Sequence, residues 1–246
     1  FVSYCTKDVH IGNKKTIYGD NSTNTSMTIN HRGQANVDIV MDYVKSQFPN
    51  PEKILVTGCS AGSIAAGIHG ASLSTHYANT SPNTKIIVLG DSFMMLTTDD
   101  FVRNRLLSWG LASACNFMEL MYRGDGIWDG VSDYGLSVWK GVRNTIAANG
   151  NGVTVVVSSV ADKVQAKYYR LMGENGDDIE GETSLRILSR ASATDAAFIF
   201  EGEEHCKTSL STPMDNSELS DTGQEALASF LSVLFDDTSP FIPQSF

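Results

Sequence analysis

Little in this 246-residue sequence points to membranes, nucleic acid or metals, and each shortage narrows what the chain can be. No unbroken apolar stretch reaches the roughly 20 residues that a bilayer span requires, so no membrane-spanning helix is expected. Cysteine is scarce: Cys5, Cys59, Cys115 and Cys206 are the whole set, and none sits at zinc-finger spacing. No pair of histidines or carboxylates recurs at ligand spacing, so neither a metal nor a cofactor is expected. Positive charge is in deficit, 18 Lys and Arg against 28 Asp and Glu, which leaves a formal net charge of −10. That balance argues against nucleic acid or anionic membranes as the main partners. Repeats and low-complexity linkers are absent. There is no starting Met and no signal peptide at Phe1, so the chain reads as a processed product or as part of a longer polypeptide.

What is present is a strand–helix alternation long enough for one large domain with a substantial core. Val2 to Tyr4 reads as the end of a strand, followed by polar loop to about Thr28. A helix follows from about Gln34 to Phe48, with Val37, Val40, Met41, Val44 and Phe48 on one face and Pro49 and Pro51 as its stop. Lys53 to Thr57 is a short buried strand, Gly58 to Gly62 a turn, and Ile64 to about Tyr77 a helix. Lys85 to Leu89, Val153 to Ser158 and Ala197 to Phe200 are further strands, and Thr222 to Phe235 is a closing amphipathic helix. Apolar strands alternating with helices predict an α/β fold, a mostly parallel sheet covered on both faces. Residues 91–152 are too many for a simple crossover and hold Trp109, Trp128 and Trp139 together with the run Arg123-Gly-Asp-Gly-Ile-Trp-Asp-Gly. They read as a helical, cap-like insertion in a single domain spanning 1–246. One reading makes it a cap over the substrate pocket, another a packing layer with core tryptophans, and the two are compatible.

Gly58-Cys59-Ser60-Ala61-Gly62 is a G-x-S-x-G sequence between a strand and a helix. In that context the turn projects Ser60 Oγ above the sheet at the positive end of the next helix. It also aims the Ala61 N–H where an oxyanion would form. The plain alternative is a Gly-rich turn that packs helix on strand. A nucleophilic serine needs a base, and the base needs an orienting acid. Each is expected just after a later strand, in the order Ser, Asp, His. Asp162 follows the strand Val153–Ser158, and His205 follows Ala197–Phe200. His205 is also the one histidine after His76, which forces the choice of base. Asp91, after the strand Lys85–Leu89, is the alternative acid. His10, His31, His69 and His76 read as structural. Cys59, next to Ser60, is expected to point away from the pocket. Cys206 pairs with Cys115 in one of the three connectivities that four cysteines allow. Sequons at Asn21, Asn24 and Asn79 join the cysteines in pointing to a secreted glycoprotein; the competing reading is a cytosolic protein with chance sequons.

These motifs resemble a known family. Tyr4-Cys5-Thr6-Lys7-Asp8-Val9-His10-Ile11-Gly12, His31-Arg32-Gly33 with Asn36, the G-C-S-A-G run at 58–62, Gly90-Asp91-Ser92 and His205-Cys206 are similar to the pectin acetylesterase / Notum-type carboxylesterase family. The resemblance implies a secreted α/β-hydrolase that cleaves acyl esters, with Ser60, Asp162 and His205 as its triad. Two departures follow. The family elbow ends in two glycines, whereas Gly62 is followed here by Ser63, a residue small enough for the turn to survive. The family also carries a Gly-rich oxyanion loop upstream of the Tyr-Cys signature, and here only three residues precede Tyr4. The first strands of the sheet and half of the oxyanion hole are therefore expected from an upstream segment or another chain. The leading function is removal of acetyl groups from polysaccharide. The alternatives are deacylation of an acylated protein, or a catalytically impaired structural or carbohydrate-binding module.

Overall fold

The computed structural model describes residues 1–20, 25–92, 95–111, 117–124, 133–207 and 221–235. Its first departure from the sequence reading is at the N-terminus, where Val2–Tyr4 form no strand. The Cys5 N–H donates to Ser3 O at 3.1 Å, a tight turn that extended backbone cannot make. The Tyr4 hydroxyl accepts from the Val9 N–H at 3.2 Å, and its ring lies 4.8 Å from that of His10. Tyr4 thus folds back onto its own loop instead of entering a ladder.

The expected polar loop is instead an antiparallel ribbon, β1 (Lys14–Asp20) with β2 (Thr25–His31). Its serines and threonines read as loop, but alternation is there: on β1 Thr16 and Tyr18 are partly buried between exposed Lys15, Ile17 and Gly19, and on β2 Ile29 and His31 turn inward beside exposed Thr28 and Asn30. A lone two-stranded ribbon is marginal in water. This one is anchored by the Lys14 ammonium on Leu107 O (2.8 Å), the Asn13 N–H on Trp109 O (2.8 Å) and the Thr16 hydroxyl on Ser108 O. Asn21 and Asn24 lie outside the described residues.

Helix α1 (Gly33–Gln47) leads into β3 (Lys53–Cys59), α2 (Ala61–Thr80) and β4 (Lys85–Asp91). Helices α3 (Asp99–Ser108), α4 (Phe117–Arg123) and α5 (Tyr134–Asn149) precede β5 (Gly152–Ser159). Then come α6 (Lys163–Leu171), α7 (Ile179–Ala191), β6 (Ala196–Phe200) and α8 (Asp221–Phe235). Strands β3 to β6 form a parallel sheet in the order β3-β4-β5-β6. Alternation along the strands divides the core. Ile86 and Val88 face α2 and α5, and Val156 meets Trp139 of α5 and Ile187 of α7. Ile87, Leu89, Val155, Val157 and Phe198 face Leu227 and Phe230 of α8. The sheet is therefore covered on both faces, as near-continuous apolar strands require.

Within the 91–152 insertion, α5 belongs to the layer on the sheet, with Trp139 1 % exposed and pressed against Gly67 of α2. Trp109 is buried too; Trp128 lies outside the described residues. Among the described residues β3 is an edge of the sheet, and Leu55 on it is exposed.

Candidate active site

Strand β3 ends at Cys59 and α2 begins at Ala61, so Ser60 alone makes the turn. Its backbone sits at φ 55°, ψ −120°, a conformation that costs a side-chain-bearing residue about 1–3 kcal/mol and persists only when its surroundings enforce it. They do. The Ser60 N–H donates to Asp91 O at 2.9 Å, and the Ser60 carbonyl accepts from the N–H (2.9 Å) and hydroxyl (2.8 Å) of Ser63. A Cβ on Gly58 would collide with the backbone of Gly62, so the tightness of the turn demands glycine there. Ser63, at the position of the second family glycine, is fully buried, and its hydroxyl also lies 2.7 Å from Ser92 O. The substitution adds a tie between the elbow and the end of β4. Ala61 opens the helix, where an N–H has no acceptor one turn back, and no acidic residue occupies the first turn to compete for it.

Asp162 and His205 meet. Asp162, with no exposed side-chain surface, caps α6: its Oδ1 accepts the Gln165 N–H at 2.9 Å. Its Oδ2 accepts the Gln165 amide (2.9 Å) and lies 2.7 Å from His205 Nδ1. A carboxylate only accepts, so Nδ1 is the donor, and in neutral imidazole Nε2 is then the bare acceptor. Nε2 is buried and has no hydrogen-bond partner among the described residues, the Ser60 hydroxyl included. Asp91 is equally buried but takes another part: its carbonyl holds the Ser60 N–H, and the Ser92 hydroxyl lies 3.3 Å from its Oδ1.

Both cysteine expectations are corrected. Cys59 is bonded to Cys206, with Cα atoms 5.5 Å apart across a sequence separation of 147. Cys206 therefore does not pair with Cys115, which lies outside the described residues, and Cys59 points toward the histidine loop. Cys5 is a free, exposed thiol. Nothing local in the sequence marks the Cys59–Cys206 pair, whose members are 147 residues apart. The two sulfurs and a His205 nitrogen lie within 4.8 Å of one another, a spacing that suits a metal ion. Thiolates are the ligands that such a site needs, and in the disulfide neither sulfur is one.

The remaining histidines are packed elsewhere. His69, on α2, lies with Nε2 3.0 Å from the His10 carbonyl, and burial lowers its pKa. His31 Nε2 lies 2.8 Å from the Tyr18 hydroxyl. His76 stacks edge-on against Tyr77. The N-terminal signature has a physical centre in Asp8, which is fully buried. Its Oδ2 accepts the Gly33 N–H at 2.9 Å, its Oδ1 accepts the Thr6 hydroxyl at 2.5 Å, and a Cβ on Gly12 or Gly33 would collide with its side chain. Lys7, Val9 and His10 around it all have positive φ.

A family model described as Pectinacetylesterase matches residues 1–121. The chain is thus pectin acetylesterase-like, and its parallel sheet between helices is α/β-hydrolase-like. The match supports, at the level of the family, a carboxylic-ester hydrolase acting on acetylated polysaccharide. The matched span includes Ser60, Ala61 and Asp91 and ends before Asp162 and His205. No curated protein matches the chain. Among the described residues, no helix is long and apolar enough to cross a membrane.

Proposed function

We propose that this pectin acetylesterase-like chain is a secreted serine esterase that removes acetyl groups from polysaccharide through an acyl-Ser60 intermediate. Ser60 Oγ attacks the acetyl carbonyl as its proton passes to His205 Nε2. The oxyanion forms toward the Ala61 N–H and the positive end of α2. Collapse expels the sugar hydroxyl, which takes the proton from His205; water then repeats the cycle and releases acetate. Asp162 holds the imidazole in one tautomer and stabilises its charged form. The observation that carries this reading is His205 itself, with Nδ1 on a buried carboxylate and Nε2 buried and unspent.

A second oxyanion donor comes from a segment outside this numbering, upstream or on another chain, which also pairs with the edge of β3. The exposed Leu55 of β3 and the exposed Ile39 and Tyr43 of α1 support such a covering segment. Lack of one donor costs about 2.7–4 kcal/mol of transition-state stabilisation. The 91–152 insertion shapes the acyl pocket. Secretion is supported by the disulfide and by the exposed sequon at Asn79, in the last turn of α2. At 1.5 Å per residue, that position is about 30 Å from the Ser60 end of the helix, so a glycan there leaves the site open.

The test is acetate release from acetylated pectin and hydrolysis of p-nitrophenyl acetate by the complete protein. Ser60→Ala should lower kcat by about 10⁴-fold or more. Undiminished turnover would remove Ser60 as the nucleophile. Preference for long-chain over acetyl esters would move the substrate to an acylated protein.

A further inference from the structure

We infer that the Cys59–Cys206 disulfide is a positioning cross-link, which holds the base His205 against the nucleophile Ser60 and makes turnover dependent on its oxidised state. The inference rests on the serine-esterase reading and concerns the same site. It starts from an asymmetry in what restrains the loop 201–207. On the acid side the ties are dense. The Val160 N–H donates to Phe200 O (2.9 Å), the Ala161 N–H to Gly202 O (3.2 Å) and the Lys163 N–H to Glu203 O (3.3 Å). The Ser159 hydroxyl bonds Gly202 O, and Asp162 holds His205 Nδ1. All of these partners belong to the end of β5 and the start of α6, so they fix the Asp162–His205 pair and leave the distance to Ser60 unspecified.

Toward the nucleophile side Cys206 makes two ties among the described residues: the disulfide to Cys59, and the Cys206 N–H on Ser92 Oγ at 3.0 Å. They converge on one place, since Cys59 precedes Ser60 and the Ser92 carbonyl lies 2.7 Å from the Ser63 hydroxyl. Cys206 has φ 68°, a left-handed conformation that a side-chain-bearing residue avoids unless held. Ser60 (φ 55°) and Ser92 (φ 52°) also have positive φ. Cutting the S–S bond removes the covalent one of these two restraints and leaves the hydrogen bond to Ser92 Oγ. The loop then relaxes on its acid-side anchors and carries the imidazole away from Ser60 with its Asp162 contact intact. Neither Cys59 nor Cys206 is buried, so a small dithiol reaches the bond.

Dithiothreitol is the probe. Its two thiols deliver two electrons and two protons to the S–S bond, leaving Cys59 and Cys206 as thiols and the reagent as its cyclic disulfide. Turnover of p-nitrophenyl acetate by the complete protein is measured before reduction, after it and after reoxidation, with circular dichroism on the same samples. On reduction kcat should fall about a hundredfold, the loss that a displacement of about 1 Å can cause. KM should stay within twofold, the midpoint of the pH–rate profile should stay in place because the Asp162–His205 pair survives, and reoxidation should restore activity. The double variant Cys59→Ala/Cys206→Ala should show the low kcat and no response to dithiothreitol, while Cys5→Ser behaves as wild type. A reduced, folded enzyme with undiminished kcat overturns the inference. So does active native protein in which Cys59 and Cys206 both alkylate without reductant, or reduction that unfolds the chain at every temperature tried. If the double variant does not fold, the reduction and reoxidation arm decides. An inactive Ser60→Ala beside harmless reduction sinks the cross-link alone; an active Ser60→Ala sinks the esterase reading whatever the disulfide does.

Discussion

The fold contains the same pair of residue types twice, and the two copies do different things. Asp8 and His31 sit under the N-terminal signature, Asp162 and His205 at the ends of β5 and β6. Both aspartates are fully buried. The Asp8 oxygens are taken by the Gly33 N–H and the Thr6 hydroxyl, and His31 Nδ1 lies 3.9 Å from Oδ2, too far to bond. The other nitrogen of His31 is occupied by Tyr18. His205 is arranged the other way, with Nδ1 on the carboxylate at 2.7 Å and Nε2 left over. An aspartate beside a histidine is therefore not the mark of a catalytic pair. What distinguishes the candidate base is that the nitrogen facing away from the carboxylate is not already spent.

The largest effect that can test this contrast is on the acid. Asp162→Asn should lower kcat by about 10⁴-fold with the fold kept, because the amide no longer fixes the tautomer that leaves Nε2 bare. Asp91→Asn should cost less than about tenfold, since the Asp91 tie to Ser60 runs through its backbone carbonyl. Equal losses from the two would overturn the assignment of the acid. A smaller effect, on stability alone, is expected at the N-terminal pair. Tyr18→Phe strips the bond from His31 Nε2 and should lower unfolding stability by about 1–3 kcal/mol, measured by urea denaturation, with kcat within twofold of wild type. A tenfold fall in kcat with unchanged stability would place His31 in the chemistry. The smallest effect is in pH dependence. Burial holds the pKa of His69 below the ordinary histidine value, only partly offset by its bond to the His10 carbonyl and by Asp38. As pH falls through about 6.5 the unfolded chain takes up a proton that the native state resists. Stability should therefore drop until pH reaches the lower native value, then level off. His69→Gln should flatten that slope between pH 7 and 5, and an unchanged slope would assign it to other groups.

Several elements were legible in the chain itself. The parallel strands read directly from K-I-L-V-T, K-I-I-V-L, V-T-V-V-V-S and A-F-I-F, because strands buried on both faces carry near-continuous apolar runs. Four observed strands contain those runs, β3 and β4 extended by two residues at the C-terminal end, β5 by one at each end and β6 by one at its start. The ribbon β1–β2 was not legible, because its Thr, Ser and Asn content matches loop composition and its stability comes from α3 and Trp109, far along the chain. Residues 2–4 read as strand from their types alone, but no neighbouring strand pairs with them among the described residues. At the site, Ser60 was legible because a one-residue turn between strand and helix tolerates only small neighbours, and the collision awaiting a Cβ at Gly58 is that constraint in atomic form.

By itself, then, the sequence determined the sheet, the serine elbow and the two strand ends that could supply acid and base, all of which follow from local periodicity and turn sterics. Only the tertiary structure decided which carboxylate faces His205, that Ser63 and Ser92 brace the elbow, and that Cys59 closes on Cys206. Those pairings join positions from 29 to 147 residues apart. Separations of that size leave no trace in local pattern, because what brings the partners together is the packing of parallel strands side by side, which aligns their C-terminal ends.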